Sequence, residues 1–170
     1  KLFRFVMKKL LENWNKFLVE GEGWSKLIVN VFIFKEDKFL MIRRTETAPF
    51  KAGAWDIPGG EVEPREAPMA AAIRETEEET QLKVENLISL PKHPDSRRQY
   101  YVTKDFSGTI EFLVNPDHGF MEHDKEWWVT FEEYRNEPKK TITNDQNVIE
   151  AMKVLGLPLP PPYDMLMEST

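Results

Sequence analysis

The chain has 170 residues, 41% hydrophobic and 12% aromatic, and a net charge of -6. That is long enough for one domain with a real core and too apolar for a disordered chain, while the acidic balance excludes a broad nucleic-acid or anionic-membrane surface, which needs basic residues. There is no cysteine, which excludes disulfides, thiol nucleophiles and cysteine-ligated zinc and fits a cytoplasmic setting; no apolar run reaches the length of a membrane span.

Residues 1–22 are expected to form an N-terminal amphipathic helix. Phe3, Val6, Leu10, Trp14 and Phe17 recur at helical spacing, and Lys8 and Lys9 interrupt any signal-peptide core. The first residue is not Met, so the chain reads as trimmed or as continuing upstream. The helix is expected to pack on its own domain, with a homodimer contact or a membrane-surface position as alternatives.

Gly21 and Gly23 end that helix, and residues 23–156 read as the main domain. Residues 26–34, KLIVNVFIF, have the β-branched and aromatic character of a buried strand. Glu36-Asp37 makes a turn, and 38–44, KFLMIRR, returns as the second strand of a hairpin. Arg43 and Arg44 end it; one of them holding a substrate phosphate and both being solvated strand-end arginines are the two open readings. Trp55-Asp56-Ile57 leads as a short strand into Pro58-Gly59-Gly60.

From Ala67 to Thr80 the pattern predicts a helix, with Pro68 tolerable in the first turn. On it Glu75, Glu78 and Glu79 share one face. Like charges at that spacing repel by roughly 0.2–0.5 kcal/mol per pair, and they sit at the negative end of the helix dipole. Either this is a solvated acidic face or a cation compensates, and oxygen ligands suit a hard ion, Mg²⁺ or Mn²⁺.

Residues 82–90 read as an irregular strand, and 97–103 with 109–114 as a strand pair around a turn at 105–108. Glu122-His123-Asp124 precedes Trp127-Trp128-Val129-Thr130, and Phe131 starts a short helix. His123 reads as a surface or packing histidine rather than a ligand. Thr143 to Gln146 has the capping-box form with Thr143 as N-cap, opening a C-terminal helix stopped by Gly156. Asn144 reads as part of that cap rather than as a contact to a base edge. Residues 157–170 form a Pro-rich tail, expected to be extended.

The stretch Gly60, Glu66, Arg74-Glu75, Glu78-Glu79, with its lead-in Trp55 to Gly60, closely resembles the Nudix box, G-x5-E-x7-R-E-U-x-E-E-x-G-U, where U is aliphatic. Two positions depart from it: Thr76 stands at an aliphatic position, and Gln81 replaces a glycine, so a left-handed helix ending is reached less easily. The resemblance covers about 24–156 and implies an α+β Nudix fold, a mixed β-sheet between helices. It implies Mg²⁺-dependent hydrolysis of a nucleoside diphosphate linked to another moiety, a small-molecule nucleotide substrate rather than a nucleic-acid polymer or a membrane.

By the same resemblance Glu75, Glu78, Glu79 and the Gly59 carbonyl are the metal ligands. Arg74 orients a box glutamate, and Glu66 with Gly60 is structural. The general base is Glu78 or Glu122, the latter matching the family's EH…WV…EE ending. Tyr100 resembles a substrate-binding tyrosine of dinucleoside-polyphosphate-hydrolysing members, against a plain sheet role. An isomerase of this fold would need a cysteine, which is absent. The remaining alternative is a non-catalytic nucleotide sensor.

Overall fold

The structure, a computed structural model, describes residues 27–91, 96–115, 119–142 and 144–163. The amphipathic stripe of residues 1–20, the last residues of the tail and Thr143 lie outside them.

The organising strand is β1 (Ile28–Lys35), buried along almost its whole length. Its C-terminal end turns at Glu36, in the left-handed region at φ 58°, into β2 (Lys38–Arg44), with Phe34 opposite Phe39. Its other end pairs antiparallel with β4 (Gly59–Glu61), which follows the two-residue β3 (Trp55–Asp56). Along its other edge runs β7 (Arg98–Thr103) in parallel, so the sheet is mixed. β2 pairs with β3 and, over most of its length, with β9 (His123–Val129).

Side chains of β1 alternate between two cores, as the period of a strand requires. Val29, Val31 and Ile33 pack with Ala71 and Ala72 of α1 (Pro68–Thr80). Phe32 and Phe34 face the other way, toward Tyr134 of α2 (Phe131–Asn136) and Val148 and Ile149 of α3 (Asp145–Val154). Each fully buried side chain of this size contributes about 1.5–3 kcal/mol, so the sheet is held between helices on both faces. This is the expected α+β layering.

Several local expectations are corrected. Residues 82–90 form two short strands rather than one. β5 (Lys83–Glu85) and β6 (Ile88–Ser89) are parted at Asn86, whose φ is 51°, and they pair with different partners. Residues 105–108 were expected as a turn, yet β8 (Asp105–Ser107) pairs with β5. Residues 109–114 were expected as a strand; instead the Glu111 amide donates to the Thr80 carbonyl at the end of α1, and Val114 alone bridges to Met121. The N-cap of α3 is Asn144, not Thr143: its side chain accepts from the Gln146 amide at 3.0 Å. In the tail, Leu159 is buried and Tyr163 packs edge-on against Phe131, so 157–163 covers its own domain. Among the described residues no helix is long and apolar enough to cross a membrane.

Candidate active site

The box helix and the glycine pair are built around each other. Pro68 opens α1, and Gln81 closes it in the left-handed region (φ 62°, ψ 12°), its amide donating to the Glu77 carbonyl. Gln reaches this conformation with help from its own side chain, whose Nε2 donates to the same carbonyl at 3.0 Å. Thr76 is fully buried and satisfies its hydroxyl on the Ala72 carbonyl at 2.8 Å, so it packs where an aliphatic residue was expected. A Cβ on Gly60 would run into the Glu75 carboxylate, and one on Gly59 into the Val29 carbonyl. Only glycine lets β4 lie this close to both α1 and β1.

Arg74 is the hub of the acidic face. It donates to both oxygens of Glu66 at 2.9 Å, to the Glu61 carbonyl at 3.1 Å, to Glu75 at 2.9 Å and to Glu78 at 3.2 Å. The Glu66 carboxyl is held down to about 2 by these bonds from Arg74 and by the Glu63 amide. Glu66 precedes the N-cap of α1 and ties the incoming turn to the middle of the helix.

Glu79 points inward, its side chain 15% exposed. One oxygen accepts the Gly59 amide at 2.9 Å, and the other stands 3.7 Å from Nδ1 of His123. Burial pushes its carboxyl well above the usual range; the Gly59 amide opposes this, and the charges of Asp56, Glu75 and Glu122 reinforce it. Glu75 is also raised, first by burial, against the pull of Arg74. His123 is buried and driven down to about 4, chiefly by burial and by Arg44, so it is neutral at pH 7.

Glu122 lies immediately before β9, outside the box helix, and its Oε1 accepts from Asn115 Nδ2 at 2.8 Å. Glu75, Glu78, Glu79 and Glu122 thus line one cavity of about 250 Å³, with Gln81, Asn115, His123 and the apolar residues Phe112 to Val114. The roles of Asn115, His123 and Phe112 to Val114 were not read from the sequence. His123 carries the nearest signal, as an imidazole directly after Glu122.

Arg43, Arg44 and Tyr100 do not line this cavity. Arg43 is held by Asp124 through two hydrogen bonds of 2.9 and 2.6 Å, and Arg44 donates to the Phe50 carbonyl at 2.9 Å. Tyr100 stacks on Phe32 and packs against the core on the far side of the sheet.

A sequence model of the NUDIX domain matches residues 24–152. The chain belongs to the NUDIX family. As a Nudix protein it is a hydrolase, and solved relatives agree. The MutT NUDIX hydrolase from Burkholderia pseudomallei is 26% identical, with a TM-score of 0.54 over 76% of this chain and 97% of that one. The E. coli ORF135 protein is also 26% identical, with a TM-score of 0.53 over 79% and 92%. An ADP-ribose pyrophosphatase from Streptococcus suis shares the fold at 14% identity, with a TM-score of 0.56 over 76% and 91%. No curated protein sequence matches the chain.

Nudix hydrolases in general use a divalent metal, and the donor chemistry of this site fits one. Burial first, and then the neighbouring carboxylates, raise the proton affinity of Glu75 and Glu79, and a bound cation would offset the charge that both effects disfavour. Among the described residues no three His, Asp or Glu side chains stand close enough together to hold an ion at once. Glu75 and Glu78 are turned to Arg74, and Glu79 to the Gly59 amide. The fit is one of charge and donor type; ligation requires these side chains to reorient.

Proposed function

We propose that this Nudix hydrolase is a pyrophosphohydrolase that cleaves the diphosphate bond of a nucleoside diphosphate linked to another moiety, with Mg²⁺ as the resident ion and Mn²⁺ able to replace it. The observation that carries the reading is the convergence of Glu75, Glu78, Glu79 and Glu122 on one cavity. A diphosphate brought there faces four acidic groups, so its recruitment requires cations.

Glu75, Glu78 and Glu79, with the Gly59 carbonyl, would hold the metal. When bound, it supplies charge neutralisation on the diphosphate oxygens and acidifies water. Glu122 is the general base: it lines the cavity from outside the box helix, is oriented by Asn115 and has no bond to Arg74. It takes a proton from the attacking water as the oxygen–phosphorus bond forms, and the nucleotide leaves in line. Arg74 keeps Glu75 and Glu78 in register, and Glu66 fixes Arg74.

The test is hydrolysis of nucleoside triphosphates, oxidised nucleotides, nucleotide sugars, ADP-ribose and dinucleoside polyphosphates with Mg²⁺ or Mn²⁺, products being resolved by chromatography. Cleavage of one class is expected, abolished by chelator. In Glu122→Gln the rate should fall by about 10²–10⁴, the share a positioned base supplies. Near-normal turnover in folded Glu79→Gln sinks the ligand assignment.

A further inference from the structure

The cavity has two unlike kinds of lining, the carboxylates and the apolar segment Phe112-Leu113-Val114. That segment is tethered at both ends, by the Glu111 amide on the Thr80 carbonyl and by the Val114–Met121 bridge. Phe112 packs partly against the core, while Leu113 is 53% and Val114 56% exposed. Single exposed aliphatic residues are ordinary, but adjacent ones fixed along the wall of a polar cavity mark a binding surface. None of the described residues lining the cavity is Lys or Arg. Arg74, the guanidinium behind Glu75 and Glu78, is already engaged by those carboxylates and by Glu66, so a further phosphate lying along this wall would meet acidic groups with no lining Lys or Arg to receive it.

We propose that Phe112, Leu113 and Val114 seat the group carried on the substrate's diphosphate, and that this group presents an uncharged apolar or aromatic face rather than another phosphate. The inference rests on the pyrophosphohydrolase reading and narrows it to one substrate class.

The test compares two substrates with the same nucleoside, ADP carrying a phenyl ester on its terminal phosphate and ATP, both with Mg²⁺. The phenyl ester is expected to have the higher kcat/KM, by roughly tenfold, the order that one apolar contact supplies in discrimination. Leu113→Asn and Val114→Asn should each erase most of that ratio, and Leu113→Met should keep it. Both positions are half exposed, so the variants should fold, which a melting curve verifies.

A ratio near one in the unmodified protein, or a ratio unmoved by both Asn variants, overturns the proposal. So does a ratio that stays while sedimentation shows a dimer dissociating in the variants, because the wall is then an interface between two copies. If neither compound is cleaved and the wider panel also gives no cleavage, the pyrophosphohydrolase reading falls on its own. The ratio is then read from dissociation constants by calorimetry with Mg²⁺. Tighter binding of the phenyl ester, lost in Leu113→Asn, upholds the subsite; equal binding overturns it.

Discussion

Arg74 and Glu66 are joined by two parallel hydrogen bonds, Nε to Oε1 and Nη2 to Oε2, each 2.9 Å long. This is the fork geometry that makes an arginine–carboxylate pair rigid, and it transmits rigidity to Glu75 and Glu78 through the remaining guanidinium nitrogen. The Glu66 carboxyl falls from 4.5 to about 2 on folding. A depressed carboxyl stabilises the fold above its unfolded value and loses that contribution as pH falls through its folded one. Stability should therefore decline between about pH 4.5 and pH 2, measured by melting temperature against pH. Glu66→Gln should flatten that window and lower turnover about tenfold, as outer partners of a metal site do when lost.

Gly60 and Gly59 separate two kinds of obstruction. Beyond Gly60 lies the end of a flexible side chain, Glu75; beyond Gly59 lies backbone, the Val29 carbonyl. Gly60→Ala should fold with a loss of about 1–3 kcal/mol from overpacking, yet displace Glu75 and cut turnover roughly a hundredfold. Gly59→Ala should fail to form the β1–β4 pairing and express as unfolded protein. Circular dichroism and turnover together distinguish the two outcomes.

What was legible from the sequence is what is local. The hairpin at Glu36-Asp37 and the limits of α1 follow from residue pattern, Pro68 and the run of helix formers, and Glu75, Glu78 and Glu79 share a face by spacing alone. What was not legible depends on partners far along the chain. Asp105–Ser107 has no strand pattern and becomes a strand because β5 offers an edge. Residues 109–114 look like a strand but are claimed by the open carbonyl at the end of α1. His123 reaches Glu79 only because β9 starts at an irregularity in its register with β2, between Arg43 and Arg44.

Asn115 and Glu122 are linked by a 2.8 Å bond. If Glu122 takes the proton from water, Asn115 fixes which carboxylate oxygen does so. Asn115→Ala should lower kcat about tenfold while leaving KM nearly unchanged, since positioning matters most in the transition state. An unchanged kcat would assign Asn115 a structural role alone.

Gln81 pays for its place at the end of α1. A non-glycine residue in the left-handed region costs roughly 1–2 kcal/mol, and the side-chain bond to the Glu77 carbonyl returns part of it at an exposed site. Glycine removes the strain but loses that bond and gains freedom in the unfolded chain, the last worth about 0.4–1 kcal/mol. With the exposed bond worth about 0.3 kcal/mol, the balance favours Gln81→Gly by about 0.5 kcal/mol, small because the bond and the freedom of the unfolded glycine chain together offset most of the strain. Denaturant unfolding should show the midpoint rising with an unchanged slope. A midpoint that falls would mean that the Gln81–Glu77 bond outweighs the backbone strain, and that this chain's departure from the box glycine is stabilising.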